Sequence, residues 1–204
     1  MSGLRERKKQ ATRIAIRDAA MRLFAEQGFT ATTIDQIANA ATVSRATVFG
    51  YFATKEDIVF GDAPSAVPAL EAALAERPEG VGTAAAFRDW LLGLAELGGW
   101  IEPELVLQLQ LADEVPTVRA HRLALHRDFE RVVAEALQAE LGPDQRLAAA
   151  LAAAALMAAV STAEETAARR MRDERRELAP AEFAELLGEA VTFAEAGIAA
   201  VRRR

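Results

Sequence analysis

The chain has 204 residues, 51% of them apolar and 26% charged, which is the balance of a folded globular protein and excludes a disordered one. It has no cysteine, so a disulfide framework, a thiolate metal site and a cysteine nucleophile are all excluded, in keeping with a reducing compartment. The net charge is −6, yet residues 1–55 hold nine Lys and Arg against four acids, a balance of +5 that leaves −11 for the rest; a basic head on an acidic body localises attraction to phosphate at one end of the chain.

The start, MSGLRERKK, has no apolar run behind its charges, so it does not read as a secretory signal and a cytoplasmic location is expected. The first seventeen residues suit a basic arm that orders on DNA and equally a solvated, frayed tail. A helix is predicted from about Lys8 to Gln27, because Ile16, Ala19, Ala20, Leu23 and Phe24 recur at helical spacing. Gly28 stands where a left-handed C-terminal residue is expected. A second helix, Thr33 to Ala40, carries the stripe Ile34, Ile37 and Ala38, and Thr33 with Gln36 fits a capping box. Ala41-Thr42-Val43 is a short turn, and Ser44 caps a third helix to about Phe52 with Val48, Phe49 and Phe52 as its buried side. Thr54 with Asp57 signals the next start. Two helices across so short a turn make a helix-turn-helix, whose second helix is the usual reader of the major groove.

The side chains on that second helix suit DNA. Ser44, Arg45, Ala46, Thr47 and Tyr51 are small, cationic or hydroxyl-bearing, and Ser44, Thr47 and Tyr51 lie opposite the Val48/Phe52 stripe. Arg45 falls nearer the apolar side, but from the first turn it extends past the helix end, where a guanidinium can pair with guanine O6 and N7. Thr47, Tyr51 and Lys55 suit phosphate oxygens, which position a protein without reading sequence. Asp35 places an acid near the groove, to accept from cytosine N4 or to stay in water. From the pattern alone, the same residues also suit the solvated face of an ordinary three-helix cluster.

A helix from Lys55 carries Ile58, Val59 and Phe60 and is a natural connector between head and body. Gly61 and Pro64 interrupt, residues 66–75 are helical, and residues 76–83 form a loop. No strand signal follows. Helices are predicted over residues 84–99, 103–111, 116–141, 144–172 and 180–201. The third of these has Val118, Leu123, Leu125, Phe129, Val132, Val133 and Leu137 as inward candidates; the last carries Phe183, Leu186, Leu187, Val191, Phe193 and Ile198. The expected fold is all-α with about nine helices: a DNA-binding helix-turn-helix domain at 1–55 and a helical ligand-binding and dimerisation domain at 56–204.

The stretch Leu147–Val160 is apolar but shorter than the ~20 residues of a membrane span, and it is mostly Ala. Its small side chains suit close packing. With the last helix it reads as a dimer interface, the alternative being a buried helix in a monomer. A two-fold dimer presents two recognition helices to successive major grooves of a palindrome, where one head alone binds weakly. The helices between 84 and 141 exceed what dimerisation needs. Phe87, Trp90, Leu94, Trp100, Leu107, Leu111, His121 and Phe129 are candidates to line an apolar cavity with a few polar handles, or else are plain core. The apolar content points to a hydrophobic ligand, lipid-like or aromatic.

Enzyme chemistry finds little support. His121 and His126 are about 140° apart round a helix, and His126 with Glu130 supplies at most half a metal site. No P-loop, G-x-S-x-G or G-x-G-x-x-G occurs, and neither cofactor nor metal is expected.

The run from Val43, V-S-R-A-T-V-F-G-Y-F-A-T-K-E-D-I, resembles the tetracycline-repressor (TetR/AcrR) family, whose usual form is close to V-S-x-x-T-L-Y-Y-H-F-x-N-K-E-x-L. Upstream, the basic start, Ile14 to Ala20, Leu23-Phe24, Gly28-Phe29 and Thr32-Thr33-Ile34 match as well, so the resemblance covers roughly residues 10–60. It implies that Arg45, Ala46 and Phe49 touch bases and that Thr33, Thr47, Tyr51 and Lys55 touch phosphates. It also implies two-fold dimers through a four-helix bundle of the last two helices, and an inducer pocket in the body. Three departures stand out: Phe49 for a tyrosine, Gly50 for a second aromatic and Tyr51 for a histidine. They imply an operator other than the family's commonest. The expected function is a ligand-responsive transcriptional regulator, a dimeric repressor on a palindromic DNA operator released by a small hydrophobic molecule. The alternative is a constitutive regulator or an activator without an inducer.

Overall fold

The computed structural model describes residues 2–61, 63–96, 104–176 and 178–202. Among them are ten α-helices and no strand: α1 (Ser2–Gln27), α2 (Ile34–Ala40), α3 (Arg45–Tyr51), α4 (Lys55–Phe60), α5 (Ala63–Ala75), α6 (Thr83–Glu96), α7 (Glu104–Glu114), α8 (Pro116–Leu141), α9 (Arg146–Glu174) and α10 (Pro180–Arg202). A 3₁₀ turn at Pro143–Gln145 leads into α9. Pro64 does not break the chain as expected, because it falls in the first turn of α5, where a missing N–H costs nothing.

The chain divides into two compact units, Met1–Asp62 with Gln110–Arg122, and Ala63–Leu109 with Leu123–Arg204. The first differs from a head cut at residue 55: it includes α4, and it takes in the end of α7 and the first turns of α8. In this unit α1 packs on α2 and α4, and α2 on α3. Ile16, Ala20, Phe24, Ile37, Val48, Phe52, Ile58 and Val59 are buried, and the Phe24 and Phe29 rings sit 5.0 Å apart. Gly28 takes φ +83° and its N–H donates to Phe24 O at 3.0 Å, closing α1 as the sequence implies.

In the second unit α10 packs along α9 and against α6, while α5 packs on α6. Its core holds Leu70, Leu74, Phe87, Leu91, Val132, Val133, Leu137, Leu156, Phe183 and Leu187. Leu123 is half exposed, although the helical pattern places it inward; Val118 and Leu125 flank it on the buried stripe, and Leu123 lies off that stripe. By length and composition alone α9 could cross a membrane. Its buried side is largely alanine (Ala149, Ala152, Ala153, Ala163, Ala167 and Ala168), which lets the α10 backbone come close.

Candidate nucleic-acid interface

The reading helix is set by local rules that the side chains satisfy one by one. Thr33 caps α2: its Oγ1 accepts from Gln36 N at 3.2 Å, while Gln36 Oε1 accepts from Thr33 N at 2.8 Å, completing the predicted box. The turn then closes as a Schellman motif. Val43 N donates to Ala38 O at 2.9 Å, Thr42 N donates to Asn39 O at 3.1 Å, and Thr42 takes φ +56°. A β-branched residue in that left-handed region costs roughly 1–2 kcal/mol. Ser44 Oγ accepts from Thr47 N at 3.0 Å and lies 2.7 Å from Thr47 Oγ1, so both hydroxyls sit together at the start of α3. Thr54 and Asp57 form a second capping box on α4.

Val48 and Phe52 anchor α3 in the core, but Phe49 does not join them: it is 46% exposed. Val48 and Phe52 are four residues apart and stack on one face, whereas Phe49 is turned 100° from Val48. Its ring instead carries the Arg45 guanidinium, 5.5 Å from the centroid. Arg45 Nη1 also donates to Asp35 Oδ2 at 2.9 Å, across the turn. Ser44, Arg45, Ala46 and Phe49 are exposed, Thr47 and Tyr51 are half-buried, and Thr33 is exposed at the start of α2. Gly50 is exposed too, and a Cβ there would meet nothing within 4 Å, so no packing offsets its low helix propensity.

Lys55 has a structural task that the sequence did not signal. Its Nζ donates to Phe29 O at 2.6 Å and to Thr32 O at 2.8 Å, and it lies 4.3 Å from the Phe29 ring centroid. The ammonium thus ties α4 to the loop after α1. Burial draws its pKa below the usual lysine value, with Glu56 pulling the other way. Arg13 is a second unanticipated clamp: Nη1 donates to Tyr51 O at 3.1 Å, Nη2 to Gly61 O at 2.8 Å, and the guanidinium lies 4.4 Å over the Phe52 ring.

The candidate ligand residues divide between the two units. Phe87, Trp90 and Phe129 gather in the second unit, with ring centroids 6.5 Å (Phe87–Trp90) and 6.2 Å (Trp90–Phe129) apart. Leu94 follows one turn after Trp90 on α6, and Leu107 is half-buried on α7. Leu111 and His121 belong to the first unit, where His121 stacks on Phe60 at 5.3 Å and its Nε2 lies 3.4 Å from Asp57 Oδ1. Trp100 lies outside the described residues. His126 Nδ1 lies 3.4 Å from Ser161 Oγ, and no group of three metal-ligating side chains forms among the described residues.

Along α9 and α10 runs an open groove of about 1030 Å³, lined by Leu147, Leu151, Ala155, Phe193, Gly197 and Ile198 among others. Phe193 is 84% exposed, Leu147 73% and Leu151 63%. Burying such a side chain fully stabilises by about 1.5–3 kcal/mol.

Residues 16–60 match the family described as bacterial regulatory proteins, tetR family. The chain is 33% identical over 149 residues to the HTH-type transcriptional regulator TcmR of Streptomyces glaucescens; the match covers 70% of this chain and 66% of TcmR, just under two thirds of that protein's length. Among solved structures it resembles native NalD, the secondary repressor of the MexAB-OprM multidrug efflux pump in Pseudomonas aeruginosa, with TM-score 0.60, 22% identity and coverage of 91% of this chain and 97% of that one. It also resembles SmeT in complex with triclosan, with TM-score 0.56, 19% identity and coverage of 92% and 91%. At these identities the two structures establish a common fold. The caps, turn and anchors of the head fit the family's motif, and residues 16–60 are a tetR-family segment in a chain that is similar, over 70% of its length, to a relative named as a transcriptional regulator.

Proposed function

We propose that the protein is a dimeric repressor that binds a palindromic DNA operator and leaves it when a small hydrophobic molecule occupies the second unit. The observation that carries the reading is the face of α3. Ser44, Arg45, Ala46, Thr47 and Phe49 are presented outward on a helix that Val48 and Phe52 fix in the core, inside the segment of +5 charge. Arg45, Ala46 and Phe49 are the base-reading set; Thr33, Ser44, Thr47 and Tyr51 contact phosphates. Lys55 has two of its three donors on backbone carbonyls, so its main duty is to hold the head.

The α9/α10 groove supports the dimer: a second copy of the same face would cover Phe193, Leu147 and Leu151 and set two heads at a fixed spacing. The Phe87–Trp90–Phe129 cluster supports an apolar site in the same unit. SmeT, of the same fold, is seen with triclosan. Ligand acts only through its different affinities for the DNA-competent and released states. Helix α8 is a direct route for that bias, since its first turns belong to the first unit and the rest to the second.

The test is fluorescence anisotropy on duplex from upstream of the protein's own gene, titrated with salt, against scrambled duplex of equal length. Salt-steep binding at two protomers per palindromic site is expected, with release by hydrophobic compounds. Equal, weak binding to both duplexes, and to fragments selected from the whole genome, would overturn it. Ligand-independent binding would favour a constitutive regulator, and loss of target expression in a deletion strain would favour an activator.

A further inference from the structure

We propose that Asp35 is a positioning residue for base recognition, holding Arg45 so that the two side chains read one G·C-containing step as a unit. The inference rests on the DNA-binding reading above. Asp35 lies in the first turn of α2 and Arg45 is the first residue of α3, so their contact at 2.9 Å bridges the two helices across the turn. Both side chains are about 60% exposed, 61% for Asp35 and 60% for Arg45. An ion pair in that setting adds little to stability. An acid on a surface meant for phosphate also costs attraction. Its first-turn place on α2 suits the helix dipole, yet the dipole does not explain why the carboxylate turns to Arg45.

The geometry of the guanidinium supplies the reason. A free arginine spreads over many rotamers, and ordering it on DNA costs entropy. Here Asp35 takes Nη1 while the guanidinium carbon lies over the Phe49 ring, 5.5 Å from its centroid. One nitrogen is thereby held and the ring limits where the group can swing, so that the opposite edge is left to meet guanine O6 and N7. Asp35 is acceptor-only, so beside a base it gains from a cytosine N4 donor and is repelled by acceptor atoms and by phosphate. The pair therefore rewards one arrangement of bases and penalises the others, which is discrimination by repulsion as well as attraction.

The experiment starts from a randomised duplex library selected by the wild-type chain; the winning duplex and a scrambled one are then titrated with wild type, Asp35→Ala, Asp35→Asn, Arg45→Ala and the Asp35→Ala/Arg45→Ala double variant. Asp35→Ala is expected to weaken the selected site and tighten the scrambled one, cutting their affinity ratio about tenfold or more, with an unchanged melting temperature. Reselection with Asp35→Ala should relax preference at the position read by Arg45. Asp35→Asn should keep part of the aim and lose the repulsion. In the Arg45→Ala background, Asp35→Ala should add no further loss at that base, because coupled residues are not additive. An unchanged ratio and unchanged base preference would overturn the proposal, as would equal weakening on both duplexes with a lowered melting temperature. A wild-type chain with no sequence preference would overturn the DNA reading itself, an outcome distinct from the other two.

Discussion

Arg13 Nη2 donates to the Gly61 carbonyl at 2.8 Å, joining the middle of α1 to the end of α4. The same guanidinium reaches Tyr51 O, the last residue of α3. One side chain therefore fixes where the reading helix ends and where the next one stops. Charge-assisted bonds of this kind contribute about 1.5–3 kcal/mol each before relaxation. Arg13→Ala should lower the stability of the first unit by about 2–3 kcal/mol in denaturant unfolding. Gly61 takes φ +56°, and a Cβ there would come 2.6 Å from Arg17 Nε. Gly61→Ala should also destabilise, by about 1–3 kcal/mol, since the backbone conformation resists a side chain even where the Arg17 side chain swings aside. Equal unfolding midpoints for wild type and both variants would contradict the clamp.

Arg45 and Lys55 should separate cleanly in solution. Arg45→Ala is expected to weaken specific binding by roughly 1–3 kcal/mol and relax preference at one base position, with stability unchanged. Lys55→Ala, by removing donors from Phe29 O and Thr32 O, should cost about 1–3 kcal/mol of stability. The phosphate role implied by the family's motif makes a different forecast, a salt slope flatter by about one unit with stability intact. Melting curves and salt titrations on the same samples decide between them.

The α9/α10 face should be tested at its most exposed apolar residue. Phe193→Asp places charge on a surface that a second copy would otherwise cover, and it leaves the buried residues Val191, Ala194 and Ile198 untouched. Sedimentation should turn from dimer to monomer while the helical circular dichroism is retained. Affinity for a palindromic duplex should fall steeply, and affinity for a half-site much less. Persistence of the dimer would move the interface elsewhere.

At the start of α10, Arg176 donates from Nη1 and Nη2 to the two Glu182 oxygens at 2.8 and 2.7 Å, and Glu182 Oε2 also accepts from Ala179 N at 2.8 Å. The guanidinium first, and the backbone N–H second, hold the Glu182 carboxyl down at about 2. Because the folded value lies below the usual 4.5, the capping contribution is complete above that pH and is lost as pH falls through about 2. A carboxyl titration followed by NMR should show a midpoint well below 4.5, and amide exchange at Ala179 and over residues 181–183 should rise only in strong acid. In Glu182→Gln that acid sensitivity should vanish, and the first turn should exchange faster at neutral pH.

What could be read without coordinates was whatever depends on neighbours in sequence. Thr33/Gln36, Ser44 and Thr54/Asp57 announce their helices because a cap needs only a side chain and an N–H two or three residues on. The family's motif between Val43 and Ile58 added roles that spacing alone left open. The tasks of Lys55 and Arg13 were hidden because their acceptors lie 26 and 23, and 38 and 48, residues away in the chain. No local pattern announces a carbonyl at that distance. Phe49 departs from its expected place for a related reason: an aromatic beside a buried valine reads as core until the arginine above it is known. Composition alone groups the candidates between 84 and 141, whereas packing gives Leu111 and His121 to the first unit.

The passage of Gln110–Arg122 through the first unit has a consequence for anyone who would treat the head as an interchangeable cassette. A fragment ending at residue 55 or 62 would leave behind the His121 ring that stacks on Phe60 and faces Asp57, together with buried Leu111 and Val118. Hybrid regulators made by joining this N-terminus to a foreign sensor would therefore need the α7–α8 junction grafted along with it. A library of such chimaeras should find its working members among crossovers that keep both pieces from the same parent.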